Sequence, residues 1–325
     1  MAKFIRKLQR IGSSTLVSLP KEWVEANGLS KNVEVEVETV RDAVVITAGR
    51  KGRPSREITI PYPLPPGENI AADLTGAYLL GYDGITVRGA HSIHADDRER
   101  IRNSTRRLAG MEIVEENAAT VEMRFQLDPG TLDPRRILRR MSSMVLGMYN
   151  DTISGLAGGD RSDLGAMPSR DDEVDRQYFL LVRLIRSTMV DRRPAGGFDL
   201  EDTDILDYRM AANLLEGAGD AVVEIAAAVA TTSLPQEYLG RIYDAVKRLE
   251  LIEPKVIDAF VNNDRGLAIE AITMHRSFEE AIQSIKSPVG RRQIPIDYLD
   301  LVYMFERAER CWADIADLVK PVYPG

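Results

Sequence analysis

The chain has 325 residues, a net charge of −8 and one cysteine, Cys311, which suggests two or three domains and excludes an internal disulfide. No apolar run approaches the ~18–20 residues that cross a bilayer, and the first residues lack the apolar core of a signal peptide, so the expectation is a soluble, cytoplasmic protein with no membrane insertion. The acidic balance argues against nucleic-acid binding by the whole surface, but residues 1–56 carry eleven Lys/Arg against six Asp/Glu, a net +5 that leaves −13 on the remainder.

Residues 1–48 read as a small β-rich head. A basic strand with Arg6, Lys7 and Arg10 leads into a polar turn at Gly12, Ser13 and Ser14. A second strand ends at Leu19-Pro20, a short helix carries Trp23 and closes at Gly28, and two alternating strands follow. Backbone N–H groups and serine hydroxyls can hold phosphate oxygens, while Arg and Lys release counterions. Three basic residues by themselves read as solvated charges on a surface hairpin. The wider pattern is more specific. Arg6, Lys7, Leu8 and Gly12, the run SSTLVSLPKEW from Ser13 to Trp23, Gly28-Leu29 and the alternating Val33, Val35 and Val37 resemble the AbrB/SpoVT-type swapped-hairpin domain. The resemblance implies DNA binding and a homodimer whose hairpins interleave. That suits a segment of ~45 residues, too short to bury a good core alone. Glu34, Glu36 and Glu38 depart from a DNA-facing role, since that face of the third strand cannot lie against phosphate.

Residues 49–58 (GRKGRPSREI) form a Gly/Pro/basic connector. Arg50, Lys51 and Arg53 resemble the core of a minor-groove AT-hook; the other reading is a flexible basic linker without groove contacts. Residues 59–128 read as a small α+β region: a turn-rich loop PYPLPPG, a short helix ADLTGAYLLGY, a strand ITVRG, a charged helix DDRERIRNSTRRL and paired strands MEIVEE and ATVEMRFQL. His91 and His94 form an HxxH read as a surface turn before Asp96-Asp97, a helix cap.

From Asp133 the pattern is helical. Ile137, Met141, Met144, Val145 and Met148 follow i, i+3, i+4 spacing and read as core. Helices are expected at about 133–158, 171–191, 203–230, 234–261, 263–286 and 295–320, two sets of three, with repeats at 129–231 and 232–325. The fold expected is mainly α, with an α+β N-terminal part.

Asp171 and Asp175 stand four apart on one helix, and Glu216 and Asp220 four apart on the next. Each i, i+4 pair can offer two carboxylates to one cation, while like charges at that spacing repel by a few tenths of a kcal/mol, roughly. Spacing alone fits an acidic, solvated face as well. On a helical wheel Glu216 and Asp220 lie opposite Leu214, Val222 and Ile225, on an outer face with Ala212, Gly219 and Ala227. Residues 171–186, 209–229 with its E-x-x-x-D, and 303–318 resemble the PhoU family of phosphate-uptake regulators, over about 133–320. The resemblance implies two three-helix bundles and a divalent or iron-type metal ion held in the first repeat by Asp171, Asp175, Glu216 and Asp220. In the second repeat the pairs become His275/Glu279 and Glu306/Arg310; an arginine cannot coordinate, and Arg310 is expected to neutralise Glu306.

No phosphate-cradling, dinucleotide or nucleophile-elbow motif is present, and three histidines leave little for acid–base work, so no enzyme is expected. The leading reading is a homodimeric DNA-binding regulator of phosphate uptake that senses phosphate status through a partner or a metal. The alternative is an adaptor that docks on the phosphate transporter's ATPase, or another signalling partner, with the head as a dimeriser only. A third reading is a metal-dependent hydrolase using the same four carboxylates.

Overall fold

A computed structural model describes residues 4–40, 43–48, 55–158, 160–190, 202–286 and 294–319. The chain divides into two units, Met1–Pro54 and Ser55–Gly325.

In the first unit β1 (Gln9–Ile11) and β2 (Ser14–Leu16) pair antiparallel, with Arg10 opposite Thr15. Gly12 makes the reversal at φ +62, a conformation that L side chains rarely adopt. Helix α1 (Lys21–Ala26) ends where the Gly28 N–H donates to the Glu25 carbonyl and the Leu29 N–H to that of Val24, both at 3.0 Å. Strands β3 (Val35–Val40) and β4 (Ala43–Ala48) form a second antiparallel hairpin. Among its described residues this unit buries none; Ile5 is 87% exposed, Leu8 73% and Ile11 65%. Apolar surface of this unit is thus left open to solvent.

The second unit opens with an α+β layer: β5 (Glu57–Tyr62), α2 (Ile70–Leu79), β6 (Gly84–Gly89), α3 (Ala95–Arg107), β7 (Met111–Glu116) and β8 (Thr120–Phe125). The strand order is β5-β6-β8-β7, parallel at β5/β6 and antiparallel elsewhere. Period-two alternation turns Ile60, Ile85, Val87, Val121 and Met123 into a core with Leu74 and Tyr78 of α2 and Ile101 of α3, while Glu57, Thr59, Arg88 and Glu112 stay exposed. β5 lies inside stretches read as connector and loop; Pro61 is tolerated because β5 is an edge strand. Asp96 and Asp97 fall in the first turn of α3, and His94 holds the capping position without a side-chain bond.

The helical body follows: α4 (Pro134–Leu156), α5 (Met167–Val190), α6 (Asp202–Thr231), α7 (Gln236–Val246), α8 (Leu249–Asn262), α9 (Arg265–Ile285) and α10 (Ile296–Asp317). Asp133 caps α4, its carboxylate accepting from the Arg135 N–H at 2.9 Å, with Pro134 in the first turn. Helices α4, α5 and α6 pack on one another, α8, α9 and α10 do the same, and α6 runs along α10. Met141, Val145 and Met148 are fully buried, and Tyr149 meets Phe305 and Trp312 edge-on at 5.8 and 6.5 Å. The molecule is thus mainly α with an α+β N-terminal part. The span 234–261, expected as one helix, divides into α7 and α8 at Lys247-Arg248, where neither Gly nor Pro marks the break. At the next corner Asn263, at φ +51, stops α8, and the Asp264 carboxylate caps α9 by accepting from the Leu267 N–H at 3.0 Å.

Candidate functional site

The site residues expected from the sequence fall into two groups, one in each unit. In the head, Arg10 lies on β1, Ser13 in the turn and Ser14 on β2, so the hairpin brings these three together at its tip. Arg6 and Lys7 precede β1 rather than lying on it, and the Arg6 guanidinium sits 5.5 Å from the centre of the Phe4 ring. All five residues are exposed. Arg50, Lys51 and Arg53 lie outside the described residues.

In the body, α5 and α6 pack side by side and bring the two carboxylate pairs together. The face of α6 with Glu216 and Asp220 is only partly an outer face: Asp220 and Ala227 are exposed, but Ala212 is fully buried and a Cβ on Gly219 would stand 2.6 Å from Asp171 Oδ1. Only glycine leaves room for that carboxylate. Asp171 Oδ1 is buried without a hydrogen-bond partner. Burial, then the charges of Asp175, Asp220 and Glu216, push its carboxyl up to about 7. Asp175 is also raised by burial, against the pull of Arg107, and Glu216 by burial and Asp220, against Arg209. Asp171, Asp175 and Glu216 are each raised with a neighbouring carboxylate among the causes.

Two cations already border this cluster. Arg107, at the end of α3, places Nη2 2.9 Å from Asp175 Oδ2 and 3.2 Å from Asp172 Oδ1. Arg209 lies 5.0 Å from the centre of the Tyr178 ring. Among the described residues, no three His, Cys, Asp or Glu side chains are already disposed around a metal-sized centre. Carboxylate oxygens are the donors that hard cations take, but the space left open at Gly219 is filled by the Asp171 carboxylate itself.

The second bundle is built differently. His275 Nε2 lies 2.5 Å from Glu309 Oε2, with Glu279 3.9 Å from the other ring nitrogen. Glu306 pairs with Lys286 at 2.7 Å, so its neutralising partner is that lysine and not the expected Arg310. Burial pushes the His275 ring down in pKa.

Sequence reasoning missed Glu309, Glu253 and Arg183, all buried. Each interrupts an apolar helical stripe, which was the available signal. Neither carboxylate oxygen of Glu253 has a partner, and burial raises its pKa well above the usual carboxyl range. His91 and His94 are exposed before α3; the nearby Tyr62 hydroxyl donates to Asp97 Oδ2 at 2.7 Å.

Two family models match parts of the chain. The family model of the PhoU domain matches residues 138–229. The model described as antidote-toxin recognition MazE, bacterial antitoxin, matches residues 8–56. Among solved structures, the crystal structure of PhoU from Pseudomonas aeruginosa is similar at 17% identity and a TM-score of 0.46, covering 57% of this chain and 93% of that one. No curated protein sequence matches the chain. Residues 8–56 are thus similar to the MazE antitoxin family model, and residues 138–229 to the PhoU domain model.

Proposed function

We propose that this protein is a homodimeric, DNA-binding transcriptional regulator of phosphate uptake. The observation that carries this reading is the joining of a basic antitoxin-type hairpin unit to a PhoU-domain bundle in one chain. The head would grip phosphates through Arg6, Lys7 and Arg10, with Ser13 and Ser14 at the hairpin tip and Arg50, Lys51 and Arg53 beyond it. Its open apolar residues support closure by the head of a second copy. The body would report phosphate status through a partner or through a divalent or iron-type ion on Asp171, Asp175, Glu216 and Asp220. Such an ion would supply concentrated positive charge; the chain's own contribution is to hold four mutually repelling carboxyls between two helices. A ligand acts on DNA binding only if it favours one arrangement of the heads over another.

The test is binding to DNA upstream of phosphate-transport genes as salt is varied. Loss of two phosphate contacts in the Arg6→Ala, Arg10→Ala chain should shrink the salt slope by roughly 2. Unchanged affinity and slope would remove DNA binding by the head. That no described residue of the head is buried also suits a second reading, in which it dimerises only and the body docks on the phosphate transporter's ATPase. Recovery of transporter subunits without DNA would favour that reading.

A further inference from the structure

A cavity of about 190 Å³ opens where helices of both bundles end. Its walls include Arg135 from the first turn of α4, Asp204, Asp207 and Tyr208 from the start of α6, Phe260 and Val261 from the last turn of α8, and Val319 just past α10. At ~30 Å³ per water the space holds about six, so its occupant is a small molecule and not a peptide.

The chain sets groups of opposite sign around one buried hydroxyl. Tyr208 is 4% exposed, and its ring lies against Phe260 with 5.0 Å between ring centres. Its hydroxyl finds no hydrogen-bond partner among the described residues. A buried polar group left in this way is costly, and water or a ligand commonly takes it up. Burial pushes the hydroxyl up in pKa; the nearby Arg135 guanidinium pulls it down without closing a hydrogen bond of normal geometry, and Asp133 and Asp204 push it up again. A cation and carboxylates thus stand within electrostatic reach of one oxygen. Phe260, Val261 and Val319, each less than a tenth exposed, add an apolar wall.

That lining selects its ligand. A simple anion meets Asp204 and Asp207 here, and a simple cation meets Arg135. A molecule with both charges close together beside a short hydrocarbon chain matches every part of it. Arg135, Asp204 and Asp207 have interactions within the chain already. Five guanidinium donors and about four lone-pair sites on each carboxylate exceed what one partner uses.

We propose that this cavity binds a small aliphatic α-amino acid, with its carboxylate on Arg135, its ammonium on Asp204 and Asp207, the Tyr208 hydroxyl between them and its side chain on Phe260, Val261 and Val319. The ligand touches α4 and α6 of the first bundle and α8 and the end of α10 in the second, so occupancy ties the two bundles together. The site stands apart from the DNA reading of the head and from any ion on the acidic cluster.

Calorimetric titration of the full chain with L-valine and with L-leucine tests it. At least one should bind saturably. For the better ligand, the matching amine, which lacks the carboxylate, and the matching acid, which lacks the ammonium, should each bind roughly ten- to a hundredfold more weakly, the loss expected for a charged hydrogen bond. Tyr208→Phe keeps the ring on Phe260 and should weaken binding about three- to tenfold, with a Tm no lower than wild type. No saturable binding of either amino acid overturns the site. Unchanged affinity in Tyr208→Phe places the ligand outside this cavity and overturns it as well. An amine or acid that matches the amino acid overturns the assignment of ligand class.

Discussion

Gly219 and Asp171 share one space: the position a Cβ would take on Gly219 is 2.6 Å from Asp171 Oδ1. The glycine is there for what it leaves open, since it sits inside a helix where alanine would ordinarily be favoured. Gly219→Ala should therefore lower stability by about 1–3 kcal/mol instead of raising it, the usual cost of overpacking. Thermal unfolding of the full chain checks this, and an increase in Tm would show that α5 has room to move away.

Asp171 gives the body a dependence on pH. Its folded pKa, about 7, stands above the unfolded value of 3.8, so the folded state holds the proton more tightly. The resulting destabilisation is absent below about pH 4, grows as pH rises, and is complete above about 7. Asp171→Asn should match wild type at pH 4 and exceed it at pH 8 by about 1–2 kcal/mol, a figure reduced for solvent screening at a half-buried site. Urea unfolding at the two pH values reads this difference. A gain equal at both would mean that packing, not charge, is responsible.

Arg183→Met removes the guanidinium that three acceptors of the α+β layer share and leaves Asp83 without that partner. Breaking a buried pair of this kind costs about 3–5 kcal/mol. The expected result is a lower urea midpoint with the loss concentrated in exchange protection of α2 and β5. A change below 1 kcal/mol would show that stacking on Phe125 is the larger part of the contact.

Ile5 and Leu8 are among the most exposed apolar side chains of the head. If a second copy covers them, Ile5→Ser with Leu8→Ser should lower the mass seen by sedimentation toward that of a single chain, with helical content kept. A mass that stays dimeric would place the contact between copies elsewhere.

Much of this architecture could be read in advance, and the failures have physical causes. The helical spacing of Met141, Val145 and Met148 placed α4, and the alternation in MEIVEE and TVEMRF placed the β7/β8 pair. The E-x-x-x-D spacing set Glu216 and Asp220 on an outer face, but a wheel for one helix cannot say how far a neighbour reaches over it: α5 covers Gly219, while Asp220 stays exposed. β5 was hidden by its flanking arginines and prolines, although Ile58, Ile60 and Tyr62 alternate. The α7/α8 break carries no breaker residue. Buried charges such as Arg183 were the hardest to foresee, because their acceptors lie about a hundred residues away in the chain.

The corner at Asn263-Asp264 sets a limit of a different kind. It ends α8 and begins α9 with no spare residue, so chain length at that point fixes the rotational phase of α9. Adding or deleting one residue would turn the helix by about 100°. Phe278 and Ile282, fully buried now, would swing toward water, and His275 would be carried away from Glu309. The bend therefore constrains how many residues it holds as tightly as which ones they are.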